Sequence, residues 1–383
     1  MASMTAVAEP LLSRDRLSQA RRVVLKIGSA LLVDQRSGHV HRQWMESLAE
    51  DIVALRQRGV EVVVVSSGAV AVGRRHLGLP DGVLKLEEKQ AAAATGQIRL
   101  AHAYQDVMAH HGVIVSQVLL TLGDSEDRRR YLNARATLDT LLKLGALPVI
   151  NENDTVATTE IRFGDNDRLA ARVAMMCGAD TLVLFSDIDG LYTADPKIDP
   201  TARLIPEVRE LSPDVRAMAG EARPGVGTGG MVTKLLAAQI AMGAGCAMAI
   251  APGKPMHPLQ ALTEGGPCTW FLPSTTPRAA RKKWISGAIK PLGSVIVDAG
   301  AVKALRDGRS LLPAGVTAIE GDFQRGDAVA VKTADGTLLG KGLTAYSAED
   351  ARAIRGRQSS EIEDILGYRG REELIHRDDL AID

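Results

Sequence analysis

Two textures alternate along the chain. Short, continuous apolar runs rich in β-branched residues are separated by longer stretches whose apolar residues recur every three or four positions. Val23-Val24-Leu25 predicts a strand that ends at Lys26-Ile27-Gly28-Ser29. Trp44, Leu48, Ile52 and Leu55 then share one helical face, and Gly59 supplies the stop. Residues 62–65 form a second apolar run, closed by Ser66-Ser67-Gly68, and 113–120, 147–150, 182–185 and 247–250 continue the series. Helical spacing fills the gaps, notably over 87–108, 133–144, 166–177 and 233–242. Strands that are apolar throughout, rather than alternately, are buried on both faces. That pattern predicts an α/β sandwich with a parallel sheet covered by helices. In such sheets ligands sit beyond the carboxyl ends of the strands, so the segments after each strand hold the candidate chemistry. Past 287–293 the texture changes to short strands punctuated by Gly and Asp, at 294–297, 328–331 and 337–339. Asp335-Gly336 between the last two reads as a hairpin turn, and the region as a small, mostly β domain.

Composition narrows the function classes. A length of 383 residues predicts two or three domains, and 24% charged residues with no net charge is no signature of disorder. Zero net charge gives no global reason to bind nucleic acid or anionic membrane. The β-rich region is itself acidic: 12 basic against 16 acidic residues from Leu292 onward, or −4. Cys177, Cys246 and Cys268 lie far apart, with no C-x-x-C pair for zinc or redox chemistry. No apolar stretch approaches the ~20 residues of a membrane helix. The first 22 residues lack a long apolar segment and contain Glu9 and Asp15, against a secretory or transit signal. A soluble protein of the cytoplasm is the expectation.

Several familiar signatures match without their context. Gly225-Val226-Gly227-Thr228-Gly229-Gly230 fits G-x-G-x-x-G but follows Arg223-Pro224 rather than a strand. With Val232 it also fits a protein-kinase glycine loop, yet His376-Arg377-Asp378 stands too near the end of the chain to serve as that catalytic loop. There is no G-x-x-x-x-G-K-[ST], and the eight histidines show no metal-ligand spacing.

Five polar loops remain. Lys26-Ile27-Gly28-Ser29 can aim an ammonium and backbone N–H groups at a phosphate, although a lone lysine before a turn is more often a surface residue. Ser66-Ser67-Gly68-Ala69 suits a carboxylate, or a plain helix cap. Asn151-Glu152-Asn153-Asp154 and Gly164-Asp165-Asn166-Asp167 crowd acids and amides that are costly to bury unpaired. They are therefore either solvated or organised around a ligand, and Asp167 also suits a helix start. Ser186-Asp187-Ile188-Asp189-Gly190 follows a strand directly. Gly227-Thr228-Gly229-Gly230-Met231-Val232-Thr233-Lys234 opens a helix, where glycines, the helix N-terminus and a lysine favour phosphate over a merely flexible loop.

In this order, Val-Leu-Lys-Ile-Gly-Ser (24–29), Ser-Ser-Gly-Ala (66–69), Asn-Glu-Asn-Asp (151–154), Gly-Asp-Asn-Asp (164–167), Gly-Leu-Tyr-Thr-Ala-Asp-Pro (190–196) and Gly-Thr-Gly-Gly-Met-x-Thr-Lys (227–234) resemble the amino-acid kinase family. The likeness is to its branch that phosphorylates the glutamate γ-carboxylate at the start of proline biosynthesis. The C-terminal part resembles a PUA domain. The resemblance implies a three-layer α/β sandwich with a mainly parallel sheet over 22–287, after an extension at 1–21. A β-rich PUA-like domain at 293–370 and a tail at 371–383 would follow. It implies ATP and Mg²⁺, with no direct protein ligands to the metal. Ser67, Asp154 and Asn166 would hold glutamate. Lys26, Ser186, Asp187, Thr228, Gly229, Gly230, Met231, Val232, Thr233 and Lys234 would hold ATP. Lys26 and Lys234 would be the catalytic cations, held apart by Asp167. Ser29 and Ser186 stand where threonine is common, which keeps the hydroxyl. Further implications are feedback by proline, a dimer or tetramer, and hand-over of product to a glutamyl-phosphate reductase. Kinases of N-acetylglutamate, aspartate, carbamate or UMP would share the fold. An RNA-binding role through the PUA-like part is a different class, disfavoured by its negative charge.

Overall fold

A computed structural model describes residues 13–34, 36–156, 166–220, 230–288 and 290–382, with side chains from residue 16 onward and not at 288. The chain divides into two compact units, Met1–Ser125 with Arg135–Ser274, and Glu126–Ala134 with Thr275–Asp383.

The first unit is built on an eight-stranded sheet. Its strands are β1 (Arg22–Ile27), β2 (Glu61–Ser66), β3 (Val115–Leu120), β4 (Leu147–Glu152), β5 (Thr181–Ser186), β6 (Glu207–Val208), β7 (Ala247–Pro252) and β8 (Thr269–Phe271), in the order β3-β4-β2-β1-β5-β7-β8-β6. The six long strands anticipated from the apolar runs are all present and all parallel. The pattern missed β6 and β8. These short strands are parallel to each other, and β8 runs antiparallel to β7. Two or three residues are too few to show a periodicity. In β1, β2 and β5 nearly every residue is buried, as the absence of alternation requires. Parallel register sets the carboxyl ends side by side: Ile27 lies opposite Ser66 and Phe185, and Leu120 opposite Glu152. The candidate loops after β1, β2, β4 and β5 therefore leave from one edge of the sheet.

The loop after β2 is held by a close helix crossing. Ser67 N–H donates to Ile27 O (3.1 Å), and Gly68, at φ +105°, turns the chain into the helix Ala69–His76. That helix packs backbone to backbone on the long helix Leu86–Ala109 through Gly73 and Gly96. A Cβ on Gly96 would strike the Ala69 carbonyl and stand 2.7 Å from the Gly73 nitrogen.

The second unit carries β9 (Gly293–Val297), β10 (Val316–Gly321), β11 (Ala328–Thr333), β12 (Leu338–Leu343) and β13 (Leu380–Ile382), in the order β10-β9-β11-β12-β13. Among the described residues only β9 and β11 pair in parallel there. The Asp335-Gly336 turn joins β11 to β12, with Gly336 at φ +87°. Residues 371–383, read from the sequence as a tail, contribute β13, which pairs with β12. Val295, Ile319, Phe323, Val331 and Leu380 fill a core separate from that of the first unit. No helix among the described residues is long and apolar enough to cross a membrane.

The helix crossing gives a direct test. Alanine at an ordinary helical glycine gains about 1 kcal/mol of helix propensity. At Gly96 the new methyl meets backbone that cannot rotate away, and overpacking of this kind costs about 1–3 kcal/mol. Gly96→Ala is therefore expected to lower the chemical denaturation midpoint, and an unchanged or raised midpoint would show that the two helices separate at little cost.

Candidate active site

Lys26 is the next-to-last residue of β1, a strand hydrogen-bonded on both sides. Its side chain is confined to the interior at the sheet's carboxyl edge, and a buried ammonium needs a counter-charge. Asp167 supplies it from the first turn of the helix Asn166–Cys177: Lys26 Nζ lies 2.7 Å from Asp167 Oδ1. Lys234, in the first turn of the helix Met231–Gly243, reaches the other oxygen, with Nζ 3.0 Å from Asp167 Oδ2. All three groups are buried, and together they carry one net positive charge. Burial alone would raise the Asp167 carboxyl. The two ammonium groups outweigh it and hold the carboxyl below its ordinary range. The Thr233 hydroxyl lies 3.2 Å from Asp167 Oδ2 and 2.8 Å from Gly230 O.

Asn166, one residue earlier, faces the end of β2. Its Nδ2 donates to Ser67 Oγ (2.7 Å), Ser66 O (3.0 Å) and Asn151 Oδ1 (3.3 Å). The Ser66 carbonyl can only accept, which fixes the amide with nitrogen toward Ser67. The remaining oxygen, Asn166 Oδ1, is buried with no hydrogen-bond partner among the described residues. An orphaned buried acceptor costs about 1–3 kcal/mol, which a donor on a ligand would recover.

Behind Asn166 the candidate loop residue Asn151 continues into two groups that the sequence did not single out, Gln97 and Tyr104. Asn151 Nδ2 donates to Gln97 Oε1 (2.7 Å), and Asn151 Oδ1 accepts from Glu152 N–H (2.9 Å). Tyr104 donates to Ser66 Oγ (3.2 Å) from full burial, which pushes its phenol up out of reach of physiological pH. Gln97 and Tyr104 lie on the helix Leu86–Ala109, far from any strand end in sequence. No motif marks them; a glutamine and a tyrosine on an apolar helical face are the only signal.

Asp154, two residues past β4, is buried with no cation within ion-pairing distance among the described residues. Burial lifts its carboxyl to about 6. Ser186 closes β5 and its hydroxyl donates to Asp187 Oδ1 (3.0 Å). Asp187 itself is exposed. Gly230 is exposed ahead of the helix that carries Lys234, and Met231 and Val232 are half-buried in its first turn. The structure thus joins Lys26, Lys234, Asp167 and Thr233 in one cluster, and Asn166 to Ser67. Asp154, Ser186 and Asp187 stand at the same sheet edge without a direct bond to that cluster. Thr228 and Gly229, with most of the 225–230 glycine run, lie outside the described residues. Among the described residues no group of three or more His, Cys, Asp or Glu side chains is placed to hold a metal ion.

Comparison with known proteins fits this arrangement. Residues 21–252 match the amino acid kinase family, and residues 293–366 match the PUA domain. A glutamate 5-kinase of Paramagnetospirillum magneticum is 68% identical over 96% of this chain and 99% of its own length. One from Rhodospirillum rubrum is 65% identical over 94% of this chain and 96% of its own. One from Dinoroseobacter shibae is 60% identical over 96% of this chain and 99% of its own. Two buried lysines around one aspartate at the carboxyl edge of a parallel sheet, and relatives matched almost end to end, place the chain in the glutamate 5-kinase branch of the amino acid kinase family, with a PUA domain toward its C-terminus.

Proposed function

We propose that the chain transfers the γ-phosphoryl group of ATP to the γ-carboxylate of L-glutamate, giving γ-glutamyl phosphate and ADP. The Lys26–Asp167–Lys234 cluster carries this reading. A carboxylate is already ionised near pH 7, so the reaction needs no general base. Its barrier is electrostatic: two anions must meet in line while charge moves from the attacking oxygen to the leaving one. Two preorganised ammonium groups oppose that charge without reorganising at the moment of transfer. Asp167 spaces the two ammonium groups by its own width, so that they address different oxygens of the transferring group.

Ser67, Asn166 and Asp154 hold the amino acid. Ser67 binds a carboxylate oxygen, and Asn166 Oδ1 and Asp154 accept from the α-ammonium. That ammonium gives Asp154 a cation, which it lacks among the described residues, and separates glutamate from N-acetylglutamate, which has none. Proline also presents an α-amino nitrogen and a carboxylate, so it would compete for the same groups. Ser186, Asp187 and the Gly230–Lys234 helix start hold ATP, with Thr228 and Gly229 completing that loop. Mg²⁺ would be carried on the nucleotide near the exposed Asp187, where it would neutralise charge on the phosphates. The acyl phosphate product is reactive, which favours direct consumption by a reductase in the cytoplasm.

Incubation with ATP, Mg²⁺, glutamate and hydroxylamine is expected to yield a glutamyl hydroxamate, with none from aspartate or N-acetylglutamate and no phosphorylation of UMP or carbamate. ATP consumption with another acceptor, and none with glutamate, would overturn the reading.

Two variants test the division of roles. Lys234→Ala is expected to lower kcat by roughly 10²–10³, the scale of one preorganised charge contact. Lys234→Arg should restore little, because a planar fork does not replace a compact point charge. A near-normal kcat in the alanine variant would remove Lys234 from the chemistry.

Asp154→Asn separates binding from stability. The folded-state carboxyl sits at about 6 against 3.8 for the ordinary group. Between those values the folded state holds the extra proton, so stability falls as pH rises through this window and stays lower above it. The variant removes that penalty. Without ligand it is expected to be more stable than wild type near pH 7, by up to about 3 kcal/mol, and equal to it below about pH 4. In the same variant KM for glutamate should rise far more than KM for ATP. A ligand-free melting curve that does not move, or equal effects on both KM values, would place Asp154 outside the glutamate site.

A further inference from the structure

The second unit contains a cavity of about 90 Å³ that the kinase reading leaves unused. Arg129, Arg325 and Arg371 all line it. They come from three separate segments: the start of the helix Arg128–Lys143, the turn between β10 and β11, and the stretch before β13. Gly326, at φ +92°, shapes the second of these. Its N–H is bound to Thr344 O (2.8 Å), and the left-handed turn sets Arg325 at the cavity wall. No carboxylate among the described residues lies within ion-pairing distance of any of the three guanidinium groups. The one acidic residue on the wall, Asp379, is committed to the Arg281 guanidinium, itself buried and donating to Tyr131 Oη (3.1 Å) and Asp378 O (3.0 Å).

We propose that this cavity is a binding site for a small phosphate-class oxyanion. Guanidinium groups match a tetrahedral oxyanion with paired N–H donors, and three from different directions enclose it. Size fits the occupant, since a volume of this order holds a phosphate-sized group with a few waters. The second unit as a whole is close to charge balance, with 20 basic against 18 acidic residues over 126–134 and 275–383, or +2, so the three arginines make a local concentration of positive charge.

The test uses the full chain and inorganic phosphate as the probe, with ionic strength held constant by chloride. Isothermal titration should show one more phosphate bound per chain in wild type than in Arg325→Gln/Arg371→Gln. At that site Arg129→Gln alone should weaken binding at least tenfold, while glutamate-dependent ATP turnover without added phosphate stays at wild-type level in both variants. Arg325 and Arg129 are exposed and Arg371 half-buried, so circular dichroism should confirm folded variants. Equal phosphate stoichiometry and affinity in wild type and double variant would overturn the proposal. So would binding of a short single-stranded RNA that depends on these arginines while inorganic phosphate does not bind.

Discussion

A single buried carboxylate between two buried ammonium groups sets the terms for the rest of the first unit. Lys26 and Lys234 come from a central strand and from a helix more than 200 residues later, and each alone would be too costly to leave charged in the interior. Asp167 makes both tolerable at once. Breaking such a contact by removing one partner commonly costs about 3–5 kcal/mol, because a charge is left buried without compensation. The fold is therefore committed to bringing β1, the helix at Asn166 and the helix at Met231 together at the sheet's carboxyl edge.

The neighbouring region of Asp154 and Asn166 follows the opposite rule. Around Asp167 the charges are paired within the protein; among the described residues Asp154 has no cation and Asn166 Oδ1 no donor. A protein built only for stability would neutralise Asp154 or replace it. On the proposed reading, a lifted carboxyl and an orphaned acceptor trade ligand-free stability for groups whose energy is realised only when an ammonium arrives. The satisfied cluster suits electrostatic stabilisation of a transfer, and the unsatisfied one suits recognition.

Much of this was legible in the sequence because its physics is local. Continuous apolar runs gave the six long strands of the first sheet, and the parallel register followed from their lack of alternation. Polar loops after those strands gave Lys26, Ser67, Asp154 and Asn166, since few positions at a strand end carry hydroxyls, amides and acids in such density. What escaped was either too short or too remote. β6 and β8 offer two and three residues, and β13 closes a sheet across a long gap from its partner. Gln97 and Tyr104 act through hydrogen bonds to Asn151 and Ser66 from a helix whose pattern reads simply as core. No spacing rule connects them to the site; only the tertiary contact does.

The two lysines also differ in how firmly the fold fixes them, and this bears on how the cluster works. Lys26 sits in a strand paired on both sides, opposite Val65 and Leu184, so its backbone cannot shift without disturbing the centre of the sheet. Lys234 depends on the first turn of a helix, where its N–H reaches Gly230 O at 3.4 Å, near the limit of a hydrogen bond. Asp167 binds both, and Thr233 adds a contact from the turn of Lys234. The carboxylate therefore transmits the rigidity of the sheet to the weaker helix start. One cation is placed by the strand ladder, the other by its attraction to a group that the first cation has already positioned. Such an arrangement holds two like charges at a fixed separation without requiring both to come from rigid elements, and the remaining freedom lies in the first turn of the helix Met231–Gly243.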